Sequence, residues 1–538
     1  MAIYFTHLAA QTRRPRPPPR HPPASAAGRV MLDLGPPAPA DPDQDKMDFQ
    51  PTLSQVAQLA RDWAMVPVHT SLPAATREPD EAFLVLKSLS RQAFILESLA
   101  EADDRGRYTF LGYDPKLCLT CRSGLLTIAN GARFEIATTD PGQHIQRVLD
   151  DNRSPILPGL PPFTGGLVGY FAYDYIKYAE PSLARQGLGA QDDEAFQDVD
   201  LMLFDKVVAY DHLEGRIHLI ANVRTDAVPE NYRRACAQLE QLADLIAHGQ
   251  PADPPPLRLT SPFEPLFSPE RYGAMVEQAR HLIHEGDIFQ VVLSNRWSAE
   301  ATGSLFETYR RLRQINPSPY LFYLASDDVE IAGASPETLV RLRQGRAATF
   351  PLAGTRPRGQ TPAQDLALER ELLADRKELS EHDMLVDLGR NDLGKVCRFG
   401  SVAVERYRAV ERYSHVMHIA SAVAGQVRDD QSAVDVIAAV LPAGTLSGAP
   451  KIRACQIIDQ LEDNTRGIYG GALGYLSLTG EVDTCIAIRL AFKRHQRVHV
   501  RAGAGIVADS DPAKEHQECH NKAQAVVDAL LASAQERP

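Results

Sequence analysis

The chain has 538 residues, 44% of them hydrophobic and 23% charged, the composition of a globular protein with more than one domain. A formal net charge of −12 excludes the basic surface that nucleic acid or an anionic membrane requires, although a single site can oppose the global sign. The longest stretch without a charge, 154–173, is 20 residues long but holds four Pro and four Gly, so turns and short strands are expected there and not a membrane span.

Residues 1–46 are rich in Pro, Ala and Arg and lack any apolar period, which predicts a disordered extension. Its first acidic residue is Asp33. That pattern fits either an organelle transit segment or, the reading we prefer, a start placed too far upstream with Met47 as the true first residue. A first domain is predicted over 47–250. It reads mostly as short strands, with "FLVLKSL", "AFILES", "GRYTFLG" and a hairpin signal at Asn130-Gly131, followed by a helix near 231–246. Cys118 and Cys121 lie on an alternating segment that puts them on opposite faces, and no second Cys pair completes a zinc site. The seven Cys in all are scattered and fit a reducing, cytoplasmic compartment.

Seven Pro between 251 and 269 mark 251–268 as a linker. The domain predicted over 269–538 opens with Ser268 as N-cap and Pro269 at the first helical position. Tyr272, Met275, Val276, Ala279, Leu282 and Ile283 give this helix one apolar face, and Gly286 ends it. Strands and helices then mix without regular alternation. The predicted class is α+β, with large antiparallel or mixed β-sheets in a sandwich-like core flanked by helices.

Two segments carry paired carboxylates. In "KELSEHDMLVDLGRND" (377–392), Glu378 and Glu381 lie one helical turn apart. In "DSDPAKEHQECHNK", Asp511 and Pro512 open a helix on which Glu515 and Glu518 share a face. Two such helices could hold one hard divalent cation, because Mg²⁺ takes one or two carboxylates and keeps open positions for an anionic substrate. Spacing of this kind is also common on solvated helices. The segment Gly503-Ala504-Gly505 formally matches a dinucleotide fingerprint, but "DSDP" separates it from the next helix, so that reading is rejected. A strand ending in these residues still lets backbone N–H groups approach a carboxylate closely. "PLAGTRPRG" and "LPAGTLSGAPK" are Gly-Thr turns. His415 and His418 have no HExxH or Cys partner and read as structural.

Taken in order, "IFQVVLS", "NPSPYLFYL", "ASPETLVRL", "PLAGTRPRG", "ELSEHDMLVDLGRND", "RYSHVMHI", "LPAGTLSGAPKIRA", "YGGALGYLSLTGEVDTCIAIR" and "AGAGIVADSDPAKEHQE" make the chain resemble the chorismate-utilising enzymes. The likeness runs from about residue 50 to the end and is closest to the anthranilate synthase component I group. The resemblance implies conversion of chorismate and ammonia to anthranilate and pyruvate, with Mg²⁺ as cofactor. It implies Glu381 and Glu518 as metal ligands, with Glu378 and Glu515 acting through water or orienting them. Glu337 would be the general acid for the departing C4 hydroxyl, and His418 and Thr445 would contact the reacting ring. Gly354, Thr355, Tyr469, Arg489 and the Gly503, Ala504 and Gly505 backbone would bind the substrate carboxylates.

Two positions separate relatives. Water-activating members carry a Lys where this chain has Gln290, and aminodeoxychorismate synthases carry a nucleophilic Lys where it has Ala353, so amination at C2 is expected here. No glutaminase nucleophile is visible, so a separate glutamine amidotransferase subunit, and hence a hetero-oligomer, is expected to supply ammonia. The N-terminal block resembles the family's tryptophan-binding region, with Ser98 and Pro319-Tyr320-Leu321 at the feedback positions.

Overall fold

The computed structural model describes residues 47–98, 106–185, 194–412 and 416–535. The 1–46 extension and His415 lie outside this set. Two large antiparallel sheets dominate the fold. In the first, the strands run in the order 65–73, 216–224, 206–211, 108–113, 93–97, 320–325, 330–335, 490–494, 497–506, 290–302. The second runs 352–357, 416–426, 346–349, 338–343, 482–486, 472–477, 166–171, 199–204, 117–122, 125–129, 133–137, with 403–412 paired to 416–426.

Alternation along the strands builds the layers. In Tyr320–Ala325, Leu321 and Tyr323 join the core under the outer helices, whereas Phe322 and Leu324 join the core between the sheets. In Gly166–Phe171, Val168 and Tyr170 face that same inter-sheet core, and Leu167 and Phe171 face the helices on the far side. The result is a helix, sheet, sheet, helix sandwich, because each sheet buries both faces and each helix buries one. Among the described residues no helix is long and apolar enough to cross a membrane.

Both sheets cross the 251–268 segment. Strand 93–97 pairs with 320–325 in the first sheet, and 166–171 pairs with 472–477 in the second. The division into 47–250 and 269–538 is therefore a division along the chain, while each sheet draws strands from both parts.

Local signals account for many elements. Ser268 Oγ accepts from Arg271 N at the start of Pro269–His284, which buries Tyr272, Met275, Val276 and Ala279. Strands 125–129 and 133–137 form the hairpin at Asn130-Gly131, with Gly131 at φ 87°. Cys121 enters the far-side core, while Cys118 packs toward the inter-sheet core. One expectation fails: "FLVLKSL" is not a strand but the end of the helix Pro79–Leu89. Pro79 sits in its first turn with Asp80 and Glu81, a helix start. The Ala82–Leu86 run is apolar throughout because the helix is buried on nearly all sides.

Candidate active site

Strands 290–302 and 497–506, helices 376–394 and 512–535, and loops near 337, 445 and 469 line a cavity of about 410 Å³. Helix Arg376–Gly394 starts where Asp375 accepts from the N–H groups of Lys377 and Glu378 at 3.0 and 3.3 Å. His382 fixes its rotation: the ring is wholly buried, and Nε2 lies 2.6 Å from Ser421 Oγ on strand 416–426. With that face anchored, Glu381 lines the cavity. Helix Pro512–Gln535 is capped by Asp511, which accepts from Lys514 N at 2.9 Å, and it brings Glu515, Glu518 and Lys522 to the same cavity.

Burial and mutual repulsion act on the carboxylates, against the nearby Lys377 and Lys522. Burial raises the Glu381 carboxyl above its ordinary range, and the like charges of Glu378 and Glu518 add to this, against a hydrogen bond from Gln290 that opposes it. Burial raises Glu515 as well, with Glu518 adding and Ser510 opposing. Lys522 pairs with Glu518 at 2.6 Å and donates to the Gly503 carbonyl at 3.2 Å. Glu378 is not on the cavity wall and accepts from Arg356 at 3.4 Å.

Could these groups hold a divalent cation? Among the described residues the one trio of His, Cys, Asp or Glu atoms within 4.8 Å of one another is Asp211, Glu214 and His218. Arg107 already pairs with Asp211 at 2.7 Å and with Glu214 at 3.1 Å. Glu381, Glu515 and Glu518 share the cavity without forming such a trio. Hard oxygen donors on two helices, mutually repelling and partly buried, still fit Mg²⁺, which takes few carboxylates and fills its octahedron with water and substrate oxygens.

The opposite chemistry lines the other wall. Arg489 and Tyr469 face the cavity with Gly503 and Gly505. Arg489 is held at φ 53°, a left-handed conformation uncommon for its type. A Cβ on Gly503 would lie 2.7 Å from the backbone Leu293 O, so only glycine fits there, and one on Gly505 would lie 2.7 Å from Gln290 Nε2 and displace that side chain. Ala504, between them, points the other way, is fully buried and packs in the outer core.

Glu337 stands on the cavity wall with Thr445, whose Oγ1 donates to Glu337 Oε1 at 3.2 Å. Burial pushes the Glu337 carboxyl up to about 7, with Thr445 pulling it down. Thr355 lines the cavity, whereas Gly354 and His418 stand behind it. His418 lies on strand Val416–Gln426 rather than on a helix. Its Nδ1 donates to the Gly354 carbonyl at 2.9 Å and lies 3.1 Å from Thr355 Oγ1. A carbonyl can only accept, which places a proton on Nδ1.

Sequence reasoning missed the groups that brace this cavity. Glu462, Arg466 and Arg501 are 1%, 2% and 3% exposed. Glu462 accepts from Arg466 Nε at 2.9 Å and from Arg501 at 3.1 Å, and from Ser294 N and Oγ at 2.7 and 3.0 Å. Arg466 also donates to the carbonyls of Leu446 and Val292 at 2.6 and 2.7 Å. The one available signal was the i, i+4 spacing of Glu462 and Arg466, which a surface helix shares.

A second cavity, of about 90 Å³, lies between the sheets and brings together Ser98, Pro319, Tyr320 and Leu321. Ser98 Oγ is buried there without a hydrogen-bond partner. Tyr320 donates to Asp483 at 2.7 Å and lies 2.9 Å from Thr338 Oγ1, and Thr338 adjoins Glu337 in the chain.

Comparison with known proteins fits this geometry. The family described as chorismate binding enzyme matches residues 99–528. Anthranilate synthase component 1 of Acetivibrio thermocellus is 42% identical over 494 residues, covering 90% of this chain and 98% of that protein. The protein of the same name from Acinetobacter calcoaceticus is 44% identical over 497 residues, covering 90% and 99%. The crystal structure of anthranilate synthase component I from Streptococcus pneumoniae TIGR4 superposes with a TM-score of 0.68 at 39% identity, over 78% of this chain and 92% of that one. MenF, the menaquinone-specific isochorismate synthase of Escherichia coli, shares the fold with a TM-score of 0.64 at 21% identity, over 89% and 98%. With a cavity that pairs an acidic face with an anion-binding one, and with these relatives along nearly its whole described length, the chain belongs to the chorismate binding enzymes.

Proposed function

We propose that this protein is the chorismate-converting subunit of an anthranilate synthase: it aminates chorismate at C2 and releases pyruvate to give anthranilate, the entry to tryptophan synthesis. The observation that carries the reading is the joining, in one cavity, of an anion-binding wall, a carboxyl held near neutrality, and Gln290 where a water-activating relative would carry Lys. Chorismate is a dianion. Arg489, Tyr469 and the Gly503 and Gly505 backbone receive one carboxylate, because a guanidinium fork and close backbone N–H groups suit its two oxygens.

Glu381 and Glu518 would hold Mg²⁺, with Glu378 and Glu515 orienting them or acting through water. The ion would neutralise the ring carboxylate and polarise it. Glu337 gives its proton to the C4 hydroxyl, which leaves as water while the C2–N bond forms and the ring double bonds shift. Gln290, uncharged and engaged with Glu381, cannot take a proton from water, so hydroxylation is disfavoured and ammonia is the nucleophile. Loss of the C2 proton and of pyruvate then makes the ring aromatic. Thr445 orients Glu337, and His418 holds the Gly354-Thr355 irregularity of strand 352–357 against the ring.

Ammonia comes from a separate glutamine amidotransferase subunit in the proposed complex. Seven free cysteines, five of them buried, support a cytoplasmic setting. Tryptophan would occupy the cavity between the sheets, where the unpartnered Ser98 hydroxyl awaits a polar group. Its effect would travel through Tyr320 to Thr338 and so to Glu337, provided tryptophan favours a less active state.

Three outcomes are expected. The purified chain, given chorismate, Mg²⁺ and an ammonium salt, should release anthranilate, identified by mass and fluorescence, and should give none with glutamine. A 4-amino product, or glutamine-driven turnover by the single chain, contradicts the reading. Because Glu337 donates a proton, kcat should fall as pH rises through about 7, and Thr445→Val, which removes a bond favouring the carboxylate, should move that limb to higher pH. A limb that stays put in the variant removes Glu337 as the acid. Finally, Ser98→Phe should relieve tryptophan inhibition and leave kcat within about two-fold, since the side chain is outside the catalytic cavity. Inhibition curves that superpose with those of the parent protein count against the second site.

A further inference from the structure

The Glu462 cluster carries a charge imbalance. Two guanidiniums, Arg466 and Arg501, share the single carboxylate of Glu462, and all three are at most 3% exposed. Within this trio one positive charge is left over, and the Asp174 carboxyl also feels Arg501. The surplus belongs chiefly to Arg501, because Arg466 makes two bonds to Glu462, from Nε at 2.9 Å and from a terminal nitrogen at 2.5 Å, and Arg501 makes one at 3.1 Å. Arg501 is also the member that lines the catalytic cavity. Its remaining donors go to neutral acceptors: Ser294 Oγ at 2.9 Å, the Thr465 carbonyl at 2.9 Å and Asn464 Oδ1 at 2.6 Å. Burial pushes its pKa down to about 10, and Arg466 and Arg296 push the same way against Glu462.

Asn464 shows that the imbalance is built in. It is 8% exposed, and its oxygen accepts from Arg501, which fixes the amide orientation. Its Nδ2 is then buried with no hydrogen-bond partner. An orphaned buried donor is costly. An aspartate of the same shape would remove that donor, pair with Arg501 by a charge-assisted bond and cancel the surplus charge. Local stability therefore favours Asp, and the chain has Asn.

We propose that Arg501 is a positioning residue whose uncancelled charge, preserved by the neutral amide of Asn464, selects and holds a dianionic substrate in the catalytic cavity. Four of its five N–H groups are already engaged, by Ser294, Thr465, Glu462 and Asn464, so it acts chiefly through its field. A fixed charge as deeply buried as that of Arg501 acts over several ångströms with little screening. Arg489 meets a carboxylate directly, and Arg501 makes the wall behind Tyr469 and Gly503 positive enough to keep a second negative charge in the cavity. This inference rests on the reading of the substrate as chorismate.

The test is Asn464→Asp, which adds one negative charge without removing an atom of packing. The KM for chorismate should rise about ten-fold, with kcat and the KM for ammonium within about two-fold, since a lost ground-state attraction appears in KM alone. The melting temperature should hold or rise, which a merely structural role for Asn464 would not give. An unchanged chorismate KM in a folded Asn464→Asp protein overturns the proposal, as does an equal loss for ammonium. Should that variant fail to melt cooperatively, Arg501→Lys, which keeps the charge, and Arg501→Gln, which removes it, decide the matter. Lys should retain the chorismate KM within about three-fold and Gln should not, and equal losses overturn the proposal. The parent protein is run alongside: if it makes no anthranilate from chorismate and ammonium, the reading of the reaction fails instead.

Discussion

One buried carboxylate organises the catalytic cavity. Glu462 is clamped by Arg466 and Arg501 and receives the backbone N–H of Ser294. Through those two guanidiniums it ties down four stretches of chain that line the cavity or lead into it: the start of strand 290–302, the Thr445-Leu446 turn, the 464–466 loop before Tyr469, and strand 497–506 before Gly503. Every polar atom lost from such a network leaves another buried and unpaired, so it resists piecemeal change. Its geometry fixes where the glycine strand stands relative to the turn that carries Thr445, the partner of Glu337.

Around that frame the cavity separates its charges. The two helices bring carboxylates to one side and the strands bring guanidinium and amide donors to the other. A protein of net charge −12 can accept a dianion because the local field of the strand wall is positive, while a divalent cation would make the acidic side compatible with the same ligand. Glu337 belongs to neither group. It is half-buried, desolvation holds its carboxyl at about 7 against the pull of Thr445, and Thr445 comes from a turn held by Arg466.

Much of this was legible in the sequence. Ser268, Asp511 and the Asn130-Gly131 turn work through local chemistry, and local chemistry is written in adjacent residues. What escaped depends on the third dimension. The apolar run in Pro79–Leu89 looks like a strand until neighbours cover Ala82–Leu86, more than a full turn of helix. His418 has a helix-like spacing from His415, yet sits on a strand whose pairing with 352–357 gives it its partners. Ala504 lies between two cavity glycines and faces away because strand residues alternate. Nothing local tells Glu462 and Arg466 from a surface pair, since their burial is decided by strands 290–302 and 497–506, which neither residue belongs to.

The central claim is that the acidic helices and the substrate together make a single divalent-cation site. Calorimetric titration of Mg²⁺ into the protein with chorismate present and ammonia absent tests it most directly. The account predicts about one ion per chain, with affinity lowered at least about ten-fold by Glu381→Gln and likewise by Glu518→Gln, the loss expected when one carboxylate of a hard-ion site is neutralised. Ion binding that both substitutions leave intact, or no binding at all, would contradict it.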